Sequence, residues 1–181
     1  GILSILPSIA QDQKGEIVIG EKTSLHSEIL GEEREVFISL PPNYGRNIHS
    51  YPVIIVLDAE YLFEVTNAIV KIKASRNEMP ESIVVGIPNS TGKRYDMAMQ
   101  LSYPDGRTFF GDADGEKIKS YLAFFRKELF PYLESNYRLN NHITILGMSP
   151  TFGPVLEAFW NEPDLFDGYI VLASELAMKT N

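Results

Sequence analysis

At 181 residues and 20.4 kDa the chain suffices for one domain with a sizeable core, and 44% hydrophobic against 22% charged residues is ordinary globular composition, away from disordered or membrane-embedded chains. A net charge of −8, a pI near 4.9 and no stripe among the 16 basic residues exclude a nucleic-acid partner. The absence of cysteine excludes disulfides, thiolate metal sites and a cysteine nucleophile, and leaves the redox compartment open.

The apolar run Gly1–Leu6, the helix-breaking Pro7 and the small residues Ser8 and Ala10 read as the end of a signal peptide with cleavage after Ala10, so residues 1–10 are expected to be a leader remnant and 14–181 one domain. The positively charged leader segment and an initiator Met are absent; the competing reading is an apolar arm of a cytoplasmic domain. The expected location is secreted or periplasmic, otherwise cytoplasmic. No apolar run approaches the ~18–20 residues of a membrane span.

Two strand-like stretches follow, Glu16–Gly20 and the alternating Arg34–Leu40, both expected as antiparallel edge strands and stopped by the turn Pro41-Pro42-Asn43-Tyr44-Gly45. Val53–Leu57 is apolar on both sides, which predicts a buried parallel strand ending at Asp58. Leu62, Phe63, Val65, Ile69, Val70 and Ile72 have near-helical spacing, and Ser82–Ile87 is a second buried strand, completing a βαβ unit. From Pro88 to Gly115 periodicity is lost, as in a functional or disordered loop. Ile118, Tyr121, Leu122, Phe125, Leu129 and Leu133 form one stripe of a helix over Glu116–Asn136. His142–Leu146 is a third buried strand, Val155–Trp160 lies in a helix and Gly168–Ala173 is a fourth strand. The alternation predicts a doubly wound, mostly parallel α/β sheet with an antiparallel N-terminal edge. Ending at Asn181, just past a strand, the chain is expected to be a C-terminally truncated fragment.

The segment with a mechanism is Gly147-Met148-Ser149-Pro150-Thr151-Phe152-Gly153, between a buried strand and a helix. In a nucleophile elbow a serine sits on a sharp strand-to-helix turn, and the glycine two residues earlier makes room for it. The competing reading is an ordinary turn with Ser149 as helix N-cap and Pro150 at the first helical position. Proline at 150 departs from the elbow pattern, because the residue after the serine normally donates its backbone N–H to the oxyanion. The Thr151 amide or hydroxyl is a candidate replacement donor.

Val36–Tyr44, Tyr51–Asp58, Ile83–Asn89 with Arg94 and Asp96, Glu128–Arg138, and Ile145–Ser149 running into Asn161–Ile170 together resemble the esterase family of α/β-hydrolases that includes enterobactin-type siderophore esterases, S-formylglutathione hydrolases and mycolyltransferases. The resemblance implies the α/β-hydrolase fold and acyl transfer from a carboxylic ester to water through an acyl-serine. Ser149 resembles the nucleophile, and Asp58-Ala59-Glu60 resembles the loop supplying the second oxyanion amide. The oxyanion positions are thus Ala59, Glu60 and Pro150, the last by position only; Asp58, Tyr61, Arg94 and Met148 are the candidate substrate-binding residues. Family usage is G-x-S-x-G-G, where this chain has Thr151 and Phe152 in place of the two glycines. The family's acid and histidine lie beyond the last strand present, and His26, His49 and His142 all precede Ser149 and read as surface or strand-end residues.

Arg94 fits an anionic substrate or an ion pair with Asp96. Asp112-Ala113-Asp114-Gly115-Glu116 lacks the spacing of a calcium loop and reads as helix N-terminal charge. No cofactor and no metal are expected, the partner is a small-molecule ester, and the oligomeric state is not fixed by sequence. Besides the esterase, a catalytically impaired pseudo-hydrolase serving as a binding module stays open, motivated by Pro150.

Overall fold

A computed structural model of the chain describes residues 15–89, 116–148 and 151–172. Strands β1 (Glu21–Ser27), β2 (Glu32–Ser39), β3 (Tyr51–Leu57), β4 (Ile83–Ile87), β5 (Leu139–Met148) and β6 (Gly168–Leu172) form one sheet in the order β1-β2-β4-β3-β5-β6. The helices are α1 (Ala59–Ser75), α2 (Glu116–Phe124), α3 (Phe130–Asn136) and α4 (Phe152–Asn161), with a π-helical turn at Phe125–Leu129 joining α2 to α3.

The apolar runs of β3 and β4 take the centre, where both faces of a strand are covered: β3 pairs in parallel with β4 and β5, and β5 with β6. The N-terminal hairpin joins antiparallel, β1 on β2 and β2 on β4. Right-handed crossovers decide which face each helix covers. The step from β3 to β4 runs one way along the sheet and the steps to β5 and β6 the other, so α1 covers one face and α2 to α4 the opposite one. The larger core lies under α2 to α4, with Ile55, Val85, Ile145, Phe124, Phe125, Leu129 and Val155 buried in it. The smaller joins Val56, Val84 and Ala59 to Leu62, Phe63 and Val70 of α1.

Three expectations from the sequence are corrected. Residues 16–20 form no strand; Ile17 and Val18 are exposed, and the outermost strand is the polar stretch Glu21–Ser27. Pairing decides over composition there: Gly31, at φ 65°, donates its N–H to Ser27 O at 2.8 Å and closes a hairpin that sets β1 against β2. The helix over 116–136 is not one regular α-helix. Pro131, which has no N–H for an i−4 bond, follows the π-turn. Within that turn Glu128 accepts Ser27 Oγ at 2.5 Å and Ile29 N–H at 3.1 Å, fastening the hairpin to the helix layer. On α1 the spacing-defined face is split: Leu62, Phe63 and Val70 point inward while Val65, Ile69 and Ile72 are about half exposed. The leader 1–10, the bulk of the loop at 90–115 with Arg94 and the acidic cluster, and Ala173–Asn181 lie outside the described residues. No described helix is long and apolar enough to cross a membrane.

Candidate active site

Parallel pairing brings three strand ends level. Leu57 of β3 stands beside Ile87 of β4, and Val56 beside Leu146 of β5, so the residues just beyond, Asp58, Asn89 and Thr151, converge above the sheet. Open α/β sheets bind ligands at this carboxyl edge.

Asp58 carries the convergence. It is 1% exposed and left-handed, with φ 52° and ψ 42°, a conformation that Asp tolerates better than most residues. As N-cap of α1 its carboxylate would ordinarily accept the first free amides of the helix. Here it makes no such cap: Oδ1 accepts Asn89 Nδ2 at 2.5 Å and Oδ2 accepts the Thr151 hydroxyl at 2.7 Å. Asp58 O takes the N–H groups of Tyr61 and Leu62 at 2.9 and 3.0 Å. Among the described residues, therefore, no acceptor takes the N–H of Ala59 or Glu60, and both lie at the positive end of the α1 dipole. The Glu60 side chain turns back to Asn89, accepting its Nδ2 at 2.8 Å and its backbone N–H at 3.2 Å.

Thr151 is the second pivot. It is 5% exposed and is itself the N-cap of α4, which begins at Phe152. The helix thus starts two residues later than in the reading that places Ser149 at the cap. The Thr151 N–H goes to Met148 O at 2.6 Å, and its Oγ1 accepts Met148 N–H at 3.2 Å and lies 2.7 Å from both Met148 O and Asp58 Oδ2. A hydroxyl has one proton. Because Met148 O already holds an amide, the carboxylate is the acceptor that gains most from it. Both donors of Thr151 are thereby engaged within the chain, and neither is left to serve as the replacement oxyanion donor. Gly147 permits the approach: a Cβ there would lie 2.6 Å from Thr151 O and 2.7 Å from Val155 Cγ2.

Ser149 and Pro150 themselves lie outside the described residues, as does Arg94. Of the other expected site residues, Ala59 is buried, Glu60 and Tyr61 are exposed and Met148 is half-buried against the smaller core. The three histidines do not join this group. His49 precedes β3 and His142 lies early in β5, both towards the opposite, amino edge of the sheet. His26 is exposed, its Nδ1 2.9 Å from Glu33 Oε1, on a strand four ladder positions from β5. At ~4.8 Å per strand that is roughly 19 Å. Among the described residues no group of three or more metal-ligating side chains is assembled.

Sequence reasoning passed over Arg34. It is 3% exposed, with Nη1 2.9 Å from Glu32 Oε1 and Nη2 donating to Pro88 O at 3.1 Å, and it stands 5.7 Å above the Tyr121 ring. The signal was present in β2, where alternation puts Arg34 on the inward side with Val36 and Ile38. Tyr121 is fully buried, and desolvation of the phenolate, reinforced by Asp58 and offset in part by Arg34, pushes its hydroxyl up to about 12.

Comparison with known proteins agrees with this architecture. The family described as "Esterase: Putative esterase" matches residues 27–176. The ferri-bacillibactin esterase BesA of Bacillus subtilis (strain 168) is 31% identical, the match covering 75% of this chain and 51% of that protein. The IroE-like serine hydrolase from Shewanella oneidensis superposes with a TM-score of 0.68 at 28% identity, over 81% of this chain and 48% of that one. The siderophore hydrolase EstB from Aspergillus nidulans has the same fold, with a TM-score of 0.70 at 20% identity over 90% of this chain and 58% of that one. The chain spans about half the length of the curated relative that it matches. A mixed sheet with helices on both faces, three strand ends meeting at a left-handed Asp and a serine-bearing segment following β5 agree with that match, and the chain belongs to the esterase family of α/β-hydrolases.

Proposed function

We infer that this chain forms the nucleophile-bearing part of a serine esterase acting on a carboxylic ester. The observation carrying the reading is the pair of α1 amides, Ala59 N–H and Glu60 N–H, which have no acceptor among the described residues and lie at the carboxyl edge where the strand before Ser149 ends. Donors fixed at a helix N-terminus stabilise an oxyanion without reorganising during the reaction. Ser149 Oγ attacks the ester carbonyl carbon, the carbonyl oxygen takes up the negative charge beneath those amides, and the alkoxide leaves as the acyl-serine forms. Water then attacks the acyl carbon, releasing the acid and restoring the hydroxyl.

Both steps need a base for the attacking proton, and the histidines of this chain stand away from Met148 and Thr151. The base and its orienting acid are therefore assigned to polypeptide corresponding to the other half of the relatives' length. Tyr61, exposed on the first turn of α1, Met148 and Arg94 are the proposed substrate contacts. Ferri-bacillibactin, the substrate in the name of the 31% identical relative, is the first ester to test.

A fluorophosphonate probe applied to the full-length protein should label it, and Ser149→Ala should abolish the labelling together with turnover of a 4-nitrophenyl ester. A folded wild type that takes no label, or a Ser149→Ala variant that is labelled as well as wild type, overturns this reading.

A further inference from the structure

The two sides of the site differ in what they offer an oxyanion. After the serine position stands Pro150, which has no N–H, and the next residue has already given its amide to Met148 O and its hydroxyl to Asp58. On the facing side, the first two amides of α1 have no acceptor among the described residues. A hole supplied from one side depends on the register between that side and the nucleophile, since an error of about 1 Å costs ~100-fold in rate. Among the described residues, the direct side-chain hydrogen bonds between the two sides run through one group: the buried Asp58 carboxylate bridges Asn89 beyond β4 and Thr151 beyond β5.

We propose that Thr151 is a positioning residue: its hydroxyl, donated to Asp58, holds the end of β5 and the start of α4 in register with the Ala59 and Glu60 amides, which supply the oxyanion hole from α1 alone. This deepens the Ser149 reading and rests on it. The chemistry of the pair suits the task. The bond is charge-assisted and buried, with Asp58 at 1% and Thr151 at 5% exposure, so solvent screens it little. The hydroxyl simultaneously accepts Met148 N–H, which makes one oxygen a node between the end of β5, the start of α4 and the α1 turn. The left-handed backbone of Asp58 aims the carboxylate across the sheet edge and away from its own helix, at the expense of capping α1. A glycine at position 151 would have no hydroxyl to donate.

The test is steady-state hydrolysis of 4-nitrophenyl acetate by the full-length protein and its Thr151→Val, Thr151→Ser and Ser149→Ala variants. Thr151→Val, nearly isosteric but lacking the donor, should lower kcat by at least about 10-fold with KM within about 2-fold, because the loss falls on the transition state. Thr151→Ser should return kcat to within about 3-fold of wild type. Wild-type kcat in Thr151→Val, a loss confined to KM, or a Thr151→Ser variant as slow as Thr151→Val overturns the proposal. Should Thr151→Val fail to fold by circular dichroism, Asp58→Asn carries the test: it keeps the acceptor's shape and removes its charge, and unchanged kcat sinks the idea. Turnover that persists in Ser149→Ala brings down the nucleophile assignment and this inference together; Ser149-dependent turnover indifferent to Thr151 removes the inference alone.

Discussion

The two edges of the parallel sheet are both held by polar networks, and they are built on opposite chemistry. At the amino edge Arg138 donates Nε to His49 O at 3.0 Å and Nη2 to the carbonyls of Asn47 and Tyr44, while its guanidinium lies 3.9 Å over the Tyr44 ring. A cation reaches neutral carbonyls there, at a partly exposed position, and the result is a staple. At the carboxyl edge a buried carboxylate is surrounded by a hydroxyl and an amide that it shares with Glu60. Burying a charge is costly unless its oxygens are well bonded. Among the described residues two charged side chains are buried, Arg34 and Asp58, and both lie towards the carboxyl edge. The carboxyl edge thus buries its charge, and the amino edge keeps the Arg138 cation partly exposed.

Three substitutions sharpen that contrast. Asp58→Ala removes the charged acceptor of the Thr151 hydroxyl, leaving it only Met148 O, takes one of the two acceptors of Asn89 Nδ2, and sets alanine in a left-handed conformation. A loss of about 2–4 kcal/mol in urea unfolding is expected, together with loss of turnover; a loss under 1 kcal/mol would mean that the network carries little. Arg138→Ala should lower stability by about 1–2 kcal/mol through lost carbonyl bonds and stacking, and leave kcat/KM of the folded enzyme unchanged. A fall in kcat/KM matching that of Asp58→Ala would abolish the distinction between the edges.

The smallest effect at neutral pH belongs to Tyr121. Its folded-state pKa of about 12 stands above the reference of 10.0, so the neutral phenol is favoured in the folded state. Its contribution is complete below pH 10 and disappears as pH rises through about 12. Two units correspond to roughly 3 kcal/mol. Tyr121→Phe should therefore flatten the alkaline loss of stability between pH 10 and 12, read by thermal unfolding across that range. An unchanged slope would show that burial of this hydroxyl does not govern it.

Most of the sheet was legible in the sequence because buried parallel strands have an unmistakable composition: Val53–Leu57 and Ser82–Ile87 are apolar at nearly every position, and they became β3 and β4. The first strand was misplaced because edge strands are selected by a partner. Ile17, Val18 and Ile19 have the stronger propensity, and Glu21–Ser27 has the hairpin. At the candidate site, Asp58, Ala59 and Glu60 were singled out through family resemblance. Their arrangement was not, since nothing in the linear order of residues 58, 89 and 151 says that one carboxylate will meet the other two. Thr151 illustrates the limit. Its identity suggested a spare donor, and only the three-dimensional neighbourhood reveals that the donor is already taken.

Gly147 is usually credited to the serine that follows two residues later. In this chain the volume it omits is filled by the backbone of Thr151 and a methyl of Val155, each within 2.7 Å of where a side chain would begin. The position is thus the footing of α4 on β5, and even one added methyl would have to lift that helix from the strand. Efforts to retune substrate preference are better directed at Tyr61, whose side chain stands in solvent beside the same edge. Position 147 is closed to redesign on steric grounds alone.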